Sequence, residues 1–197
     1  TVPNAPTLAG PSLTNSATPM FTGTAEAGST VNLSQSSTLL GQATADVSDS
    51  SYSITVSALA EGSHNITVTA TDEANNVSEP SAPHTVVVDL TAPAVPTVTV
   101  SSPTTDITPE FNGTAEAGST VTILAEGTDI GQATADANGV YSFTPTSALE
   151  VDTYAVTVRA EDAAGNVSNT SGATSLVIQM KSYPYVPMTI LAKLEHR

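Results

Sequence analysis

The chain of 197 residues has no cysteine and no tryptophan. Without thiols it can have neither a disulfide frame nor a thiolate metal site. Aromatic residues make up only 4%, so any core must be built mainly from Val, Ile, Leu and Ala. No apolar run approaches the roughly 18 residues of a membrane span. No stretch keeps a helical period, and no leader peptide is visible, so the chain reads as a segment of something longer. Basic residues are scarcest of all. There are four, Arg159, Lys181, Lys193 and Arg197, and three of them fall in the last 17 residues. Up to Met180, one basic residue faces 18 acidic ones, a balance of −17. Such a surface repels nucleic acid and anionic lipid and attracts divalent cations. Acidity also keeps proteins soluble, and that is its commoner role.

What is present is a repeat. The string GTAEAGSTV occurs at Gly23–Val31 and again, 90 residues later, at Gly113–Val121. The same shift places Gly41-Gln-Ala-Thr-Ala-Asp46 on Gly131–Asp136. It also places Ser57-Ala-Leu59 on Ser147–Leu149, and Asp72…Asn76-Val77-Ser78 on Asp162…Asn166-Val167-Ser168. Between Asp46 and Ser57 the register slips by one, so that Tyr52 pairs with Tyr141; this marks a surface turn. A unit of about 90 residues is near the size of an immunoglobulin-like sandwich and longer than a solenoid repeat. The expected architecture is all-β: two tandem immunoglobulin-like β-sandwich domains, 1–89 and 90–179, each of about seven antiparallel strands.

Thr- and Val-rich segments favour strands. In the first copy the pattern predicts strands near Pro6–Ala9 (A), Met20–Ala25 (B), Thr30–Ser34 (C), Leu39–Ala45 (D), Ser51–Val56 (E), His64–Thr71 (F) and Ala82–Val88 (G). Alternation is clearest in F, where Ile66, Val68 and Ala70 share one face. Ala27-Gly-Ser29, Glu61-Gly62 and Asp136-Ala-Asn-Gly139 supply turns. Pro93 and Pro96 stiffen the linker Asp89–Pro96, which therefore holds the domains end to end. Residues 180–197 (MKSYPYVPMTILAKLEHR) match neither copy. They read as a vector-derived or fused tail, with a native peptide as the alternative.

The blocks G-T-A-E-A-G-S-T-V, G-Q-A-T-A-D, S-A-L, D-x-A-G-N-V-S and V-D-x-T-A-P, in that order over residues 1–179, resemble the bacterial Ig-like repeats of giant Bap-like adhesins. Those are biofilm-associated surface proteins exported by type I secretion. The resemblance implies a non-enzymatic extender module, repeated between cell anchor and adhesive tip, at the extracellular bacterial surface. It also implies calcium near domain junctions. Two departures stand out: Asn75 where the pattern has Gly, and Gln179 where the junction Asp would stand.

Alternating strands lead to a similar expectation. The B–C, D–E and F–G turns fall at one end of each sandwich, and strand G leads from the other end into the next domain. That brings Asp89, Glu116 and Asp162, with Asp136 less firmly, to the start of the second domain. Close carboxylates repel unless a cation or proton intervenes. Six to eight hard oxygens suit Ca²⁺. With no thiolates and no His cluster, Zn²⁺ is the poorer match. Glu26 and Asp72 form the matching but incomplete N-terminal site, since no upstream junction Asp precedes Thr1. The plainer alternative stays open: Asp72 and Asp162 close Asx-turns, Gly165 supplies a positive φ that Asn75 also tolerates, and Glu26 and Glu116 are solvated.

Catalysis finds no support. His64 and His84 align with Tyr154 and Thr174, so no His keeps its place, and no Ser–His–acid set can be drawn. Lys–Asn isopeptide staples need a lysine, and residues 1–180 have none. The expected partners are neighbouring repeats of the same chain and, more openly, other cell-surface molecules. Nucleic acid and membrane insertion are not expected, and the chain reads as a monomer. The alternative function is direct binding of a host protein or glycan. It needs exposed aromatics, whereas Phe21/Phe111 and Tyr52/Tyr141 recur at strand positions and read as core.

Overall fold

A computed structural model describes residues 1–182. Among these residues fourteen strands fall into two sets of seven. The first set is β1 (Leu13–Thr14), β2 (Met20–Thr24), β3 (Thr30–Gln35), β4 (Thr38–Thr44), β5 (Ser51–Thr55), β6 (Gly62–Thr71) and β7 (His84–Val88). The second is β8 (Thr99–Val100), β9 (Phe111–Thr114), β10 (Thr120–Ala125), β11 (Thr128–Thr134), β12 (Val140–Phe143), β13 (Thr153–Glu161) and β14 (Thr174–Val177). In domain 1, one sheet runs β1-β7-β6-β3-β4 and the facing sheet is β2-β5. Domain 2 repeats this as β11-β10-β13-β14 against β12-β9-β8. The tail expectation lies mostly outside the described residues, beyond Ser182.

The alternating apolar residues do what their period demands. Ile66, Val68 and Ala70 of β6 are fully buried, as are Val156, Val158 and Ala160 of β13. Facing them are Phe21 and Tyr52 in domain 1 and Phe111 and Tyr141 in domain 2, all buried. Each domain therefore has its own core. Burying a Val, Ile or Phe side chain contributes about 1.5–3 kcal/mol, so each sandwich can be stabilised without help from its neighbour.

Two expectations need correction. The strands are not all antiparallel. Strand A is broken near Gly10: Ala9 bridges Thr22 in the smaller sheet, then Leu13–Thr14 crosses over and pairs parallel with β7. Domain 2 makes the same switch, with β8 on β9 and a parallel bridge from Thr104 to Ile178. Strand G also begins later than expected, at His84. Residues 77–83 run beside β6 without forming a regular ladder. Instead, the Ser78 and Ser81 hydroxyls accept the amide hydrogens of Ala70 and Val68. Ser168 and Ser171 do the same for Ala160 and Val158. The serines satisfy backbone donors that would otherwise be buried and unpaired.

The repeated string also has a structural reason. A side chain at Gly23 would meet the Thr7 carbonyl at 2.1 Å and the Tyr52 hydroxyl at 2.6 Å. Gly113 is in the same position, 2.0 Å from the Thr97 carbonyl and 2.7 Å from the Tyr141 hydroxyl. Tyr52 donates to the Thr7 carbonyl and Tyr141 to that of Thr97, the latter at 2.6 Å. Glycine leaves room for the tyrosine that ties strand A to the opposite strands. Burial pushes both phenols up to about 12.

Candidate functional site: the interdomain junction

The turns meet where the topology requires. In domain 1, Gly28 N donates to the Ala45 carbonyl and Ala25 N to that of Ser50, which ties the B–C and D–E turns together. Thr30 pairs with Thr71, so the F–G loop starts at the same end. Val88 pairs with Gly62 at the opposite end, and the linker leaves from there.

At that lower end the chain grips its own linker. The Glu61 carboxylate accepts the Thr91 hydroxyl at 2.8 Å, and Asp89 Oδ1 accepts the Thr91 amide at 3.1 Å. The next domain is reached by two hydrogen bonds. Asn166 Nδ2 donates to the Asp89 carbonyl at 2.9 Å, and Asn15 Nδ2 donates to the Gly165 carbonyl at 2.8 Å. Both contacts use the F–G loop of domain 2.

That loop is fixed from within. Asp162 Oδ1 accepts the amides of Ala164 and Asn166 at 2.8 and 2.9 Å, and Oδ2 accepts Asn166 Nδ2 at 2.9 Å. Partial burial works to raise the Asp162 carboxyl, but the Asn166, Ala164 and Gly165 donors outweigh it and hold it below the usual range. Asn166 thus has one amide group shared between Asp162 and the preceding domain. Domain 1 makes the same clamp, Asp72 with Asn76, at 2.7 and 2.8 Å. The Asn76 side chain and amide hold the Asp72 carboxyl below its ordinary value.

The acidic residues predicted to converge behave differently from one another. Asp89 and Asp162 are joined through Asn166. Asp136 serves its own turn, accepting the Asn138 and Val140 amides, chiefly that of Val140, which hold it low. Glu116 is exposed on its turn, where its carbonyl accepts from Ser119. Glu26 is equally exposed, and Asp72 is occupied by Asn76. Among the described residues no three acidic or histidine side chains lie close enough to share an ion. The expected gathering of Asp89, Glu116, Asp162 and Asp136 is therefore not formed here. The reason is local: apart from the two exposed glutamates, each carboxylate has found nearer backbone or amide donors.

The two histidines among the described residues are spoken for. His64 Nδ1 lies 2.9 Å from Gln35 Oε1 and Nε2 2.8 Å from the Ala60 carbonyl. His84 Nε2 faces the Pro11 carbonyl. Sequence reasoning missed Asn15, Asn166 and Glu61. The recurrence of Asn76 and Asn166 in the two copies is the signal that the sequence carries for them.

Two facing sheets with a strand that switches between them define a tandem Ig- and fibronectin-type β-sandwich. The bacterial Ig-like domain family pattern matches residues 8–90 and 98–179. The chain belongs to that family, as two copies in tandem. The fibronectin(III)-like modules of Clostridium thermocellum CbhA share the fold, with a TM-score of 0.54 at 18% identity over 98% of this chain and 97% of that one. Exoglucanase B of Cellulomonas fimi is 37% identical over 131 residues, 60% of this chain. This chain spans only 11% of that protein. Four tandem repeats from the extending region of a large adhesion protein match at a TM-score of 0.40 and 24% identity, over 87% of this chain and 50% of that one. Among the described residues no helix is long and apolar enough to cross a membrane.

Proposed function

We propose that this chain is a spacer: a non-catalytic extender segment, two domains long, that sets distance and direction in a bacterial extracellular protein. The carrying observation is the double contact of Asn166 and Asn15 across the junction. A flexible tether would need neither bond. The order of sequence blocks resembles adhesin stalks, which favours a cell-surface adhesin serving attachment and biofilm formation. Among the described residues the aromatics that direct glycan or host-protein binding would need pack in or against the cores, Phe21, Tyr52, Phe111 and Tyr141 among them.

Residual dipolar couplings test the spacer reading. The two domains are expected to share one alignment tensor, and independent tensors would remove it. A second reading has one specific support, the 37% identity to part of Exoglucanase B. It makes the segment a spacer between modules of a secreted polysaccharide-degrading enzyme. Genomic context beyond the segment's ends separates the two readings.

Calcium remains a proposal for this junction, drawn there by a balance of −17 over residues 1–180 rather than by an assembled site. Asp89 and Asp162 would be its first ligands, with Glu116 and Asp136 recruited from their turns. Glu26 and Asp72 are the matching residues at the start of domain 1. Small-angle scattering in calcium and in EDTA decides this. An unchanged radius of gyration and unchanged flexibility would remove calcium and leave the spacer.

A further inference from the structure

The two domains carry different ends. Domain 1 presents Asn15 at its lower end, and domain 2 has Thr105 at the equivalent place. At the upper end, domain 2 has Gly165 and domain 1 has Asn75. The loops themselves do not need this difference. Asn75 sits at φ 63° and Gly165 at φ 91°, both left-handed, and each loop is closed by the same Asp–Asn clamp. Asparagine tolerates that region better than most residues. Gly165 is therefore not demanded by its own loop.

The neighbour demands it. A Cβ added at Gly165 would lie 3.3 Å from Asn15 Nδ2 and 3.9 Å from its Cγ. That nitrogen cannot retreat freely, because it is held at 2.8 Å by the Gly165 carbonyl. Anything beyond Cβ would crowd it further. The second bond does not discriminate: Asn166 has its counterpart in Asn76, and its partner is a main-chain carbonyl that any residue supplies.

We infer that Asn15 and Gly165 are the specificity pair of the junction. An end bearing asparagine at the Asn15 position fits only a loop with glycine at the Gly165 position. The Asn75 end of domain 1 is then suited to a different neighbour: an Ig-like domain whose lower end carries a short hydroxyl residue, as domain 2 carries Thr105. The pairing of domain 1 onto a second domain 1 is disfavoured. In a long array this fixes the order of unlike repeats.

The inference rests on the spacer reading, since only a held junction can be selective. The intact chain allows all four pairings to be imitated. The unaltered protein is a 1–2 junction and Gly165→Asn imitates 1–1. Asn15→Thr imitates 2–2, and the double variant imitates 2–1. Residual dipolar couplings read the relative order of the domains. Gly165→Asn is expected to lose the common alignment most completely. Asn15→Thr should loosen the junction less. The double variant should recover to the Asn15→Thr level, showing that the two sites are coupled.

Asn15→Gln brings the same crowding from the other side without touching the loop, and should loosen the junction while domain 2 melts unchanged. Retained alignment in both Gly165→Asn and Asn15→Gln would overturn the specificity pair and leave the spacer intact. So would a double variant no better than Gly165→Asn. Independent domains in the unaltered protein would overturn both ideas.

Discussion

The D–E turns show how the two domains solve one problem with different residues. Domain 2 turns through Asp136–Val140, and domain 1 uses one residue more, Asp46–Ser51. In both, the residue before strand E is left-handed: Gly139 at φ 76° and Ser50 at φ 63°. In both, its carbonyl accepts the amide that closes the B–C corner, Ala115 N or Ala25 N, at 2.9 Å. A Cβ at Gly139 would strike the Ala115 carbonyl at 2.6 Å. The extra residue in domain 1 accommodates a serine where the shorter turn admits only glycine. The hydrogen-bond frame is the constant, and sequence varies around it. A second contrast lies nearby: the Ser119 hydroxyl donates to the Glu116 carbonyl, while the buried Ser29 hydroxyl has no partner among the described residues.

The comparison can be broken most forcefully in the cores. Phe111→Ala should cost domain 2 about 3–5 kcal/mol, and Phe21→Ala the same for domain 1. Because the cores are separate, calorimetry should show only the mutated domain's transition moving. A joint shift of both transitions would mean a shared core.

Removing a tyrosine hydroxyl comes next. Tyr141→Phe or Tyr52→Phe leaves a strand A carbonyl without its donor and should cost about 1–3 kcal/mol in urea unfolding. The phenols also carry a pH signature. Their folded values are raised to about 12 by burial, against an ordinary value near 10. The neutral form is the one the fold favours. That stability is complete below about pH 10 and is lost as pH rises through about 12. With no tryptophan present, tyrosinate absorbance follows it directly, and the Phe variant should lose its share of the alkaline decline.

The serine contrast should be smaller. Ser119→Ala is expected to cost about 0.5–1.5 kcal/mol, whereas Ser29→Ala should be neutral or stabilising. Equal costs from thermal melts would show that Ser29 has a partner in solution. Ser50→Gly should relieve a left-handed cost of about 1–2 kcal/mol, offset by about 0.5–1 kcal/mol of glycine entropy, and so raise domain 1 slightly. A loss of stability would mean that the serine side chain is itself required.

The smallest effect is in acid. Asp72 and Asp162 are both held below their ordinary carboxyl values. Their contribution is present above about pH 4 and fades as pH falls through the depressed folded values. Asp162→Asn should also loosen the junction, while Asp72→Asn should not. NMR titration with dipolar couplings separates the two.

By itself the sequence determined the repeat, the all-β class, six of the seven strands of domain 1 to within a couple of residues, and the end of the sandwich to which each turn belongs. These follow from local rules. A period of two fixes which face is buried, and turn residues fix where the chain reverses. The sequence also placed Asp89 beside the loop of Asp162, because chain direction alone carries strand G to the next domain's upper end. Only the tertiary structure decided the strand A switch, the serines that replace a ladder beside β6, and what the junction is made of. Asn15 and Gly165 are 150 residues apart, and Asp89 and Asn166 are 77 apart. Contacts of that separation depend on distances of a few tenths of an ångström, which no periodicity encodes. The acidic residues drew attention as charges, but four of the six, Asp72, Asp89, Asp136 and Asp162, had side-chain oxygens claimed by nearby amides, and two asparagine side chains made the connection.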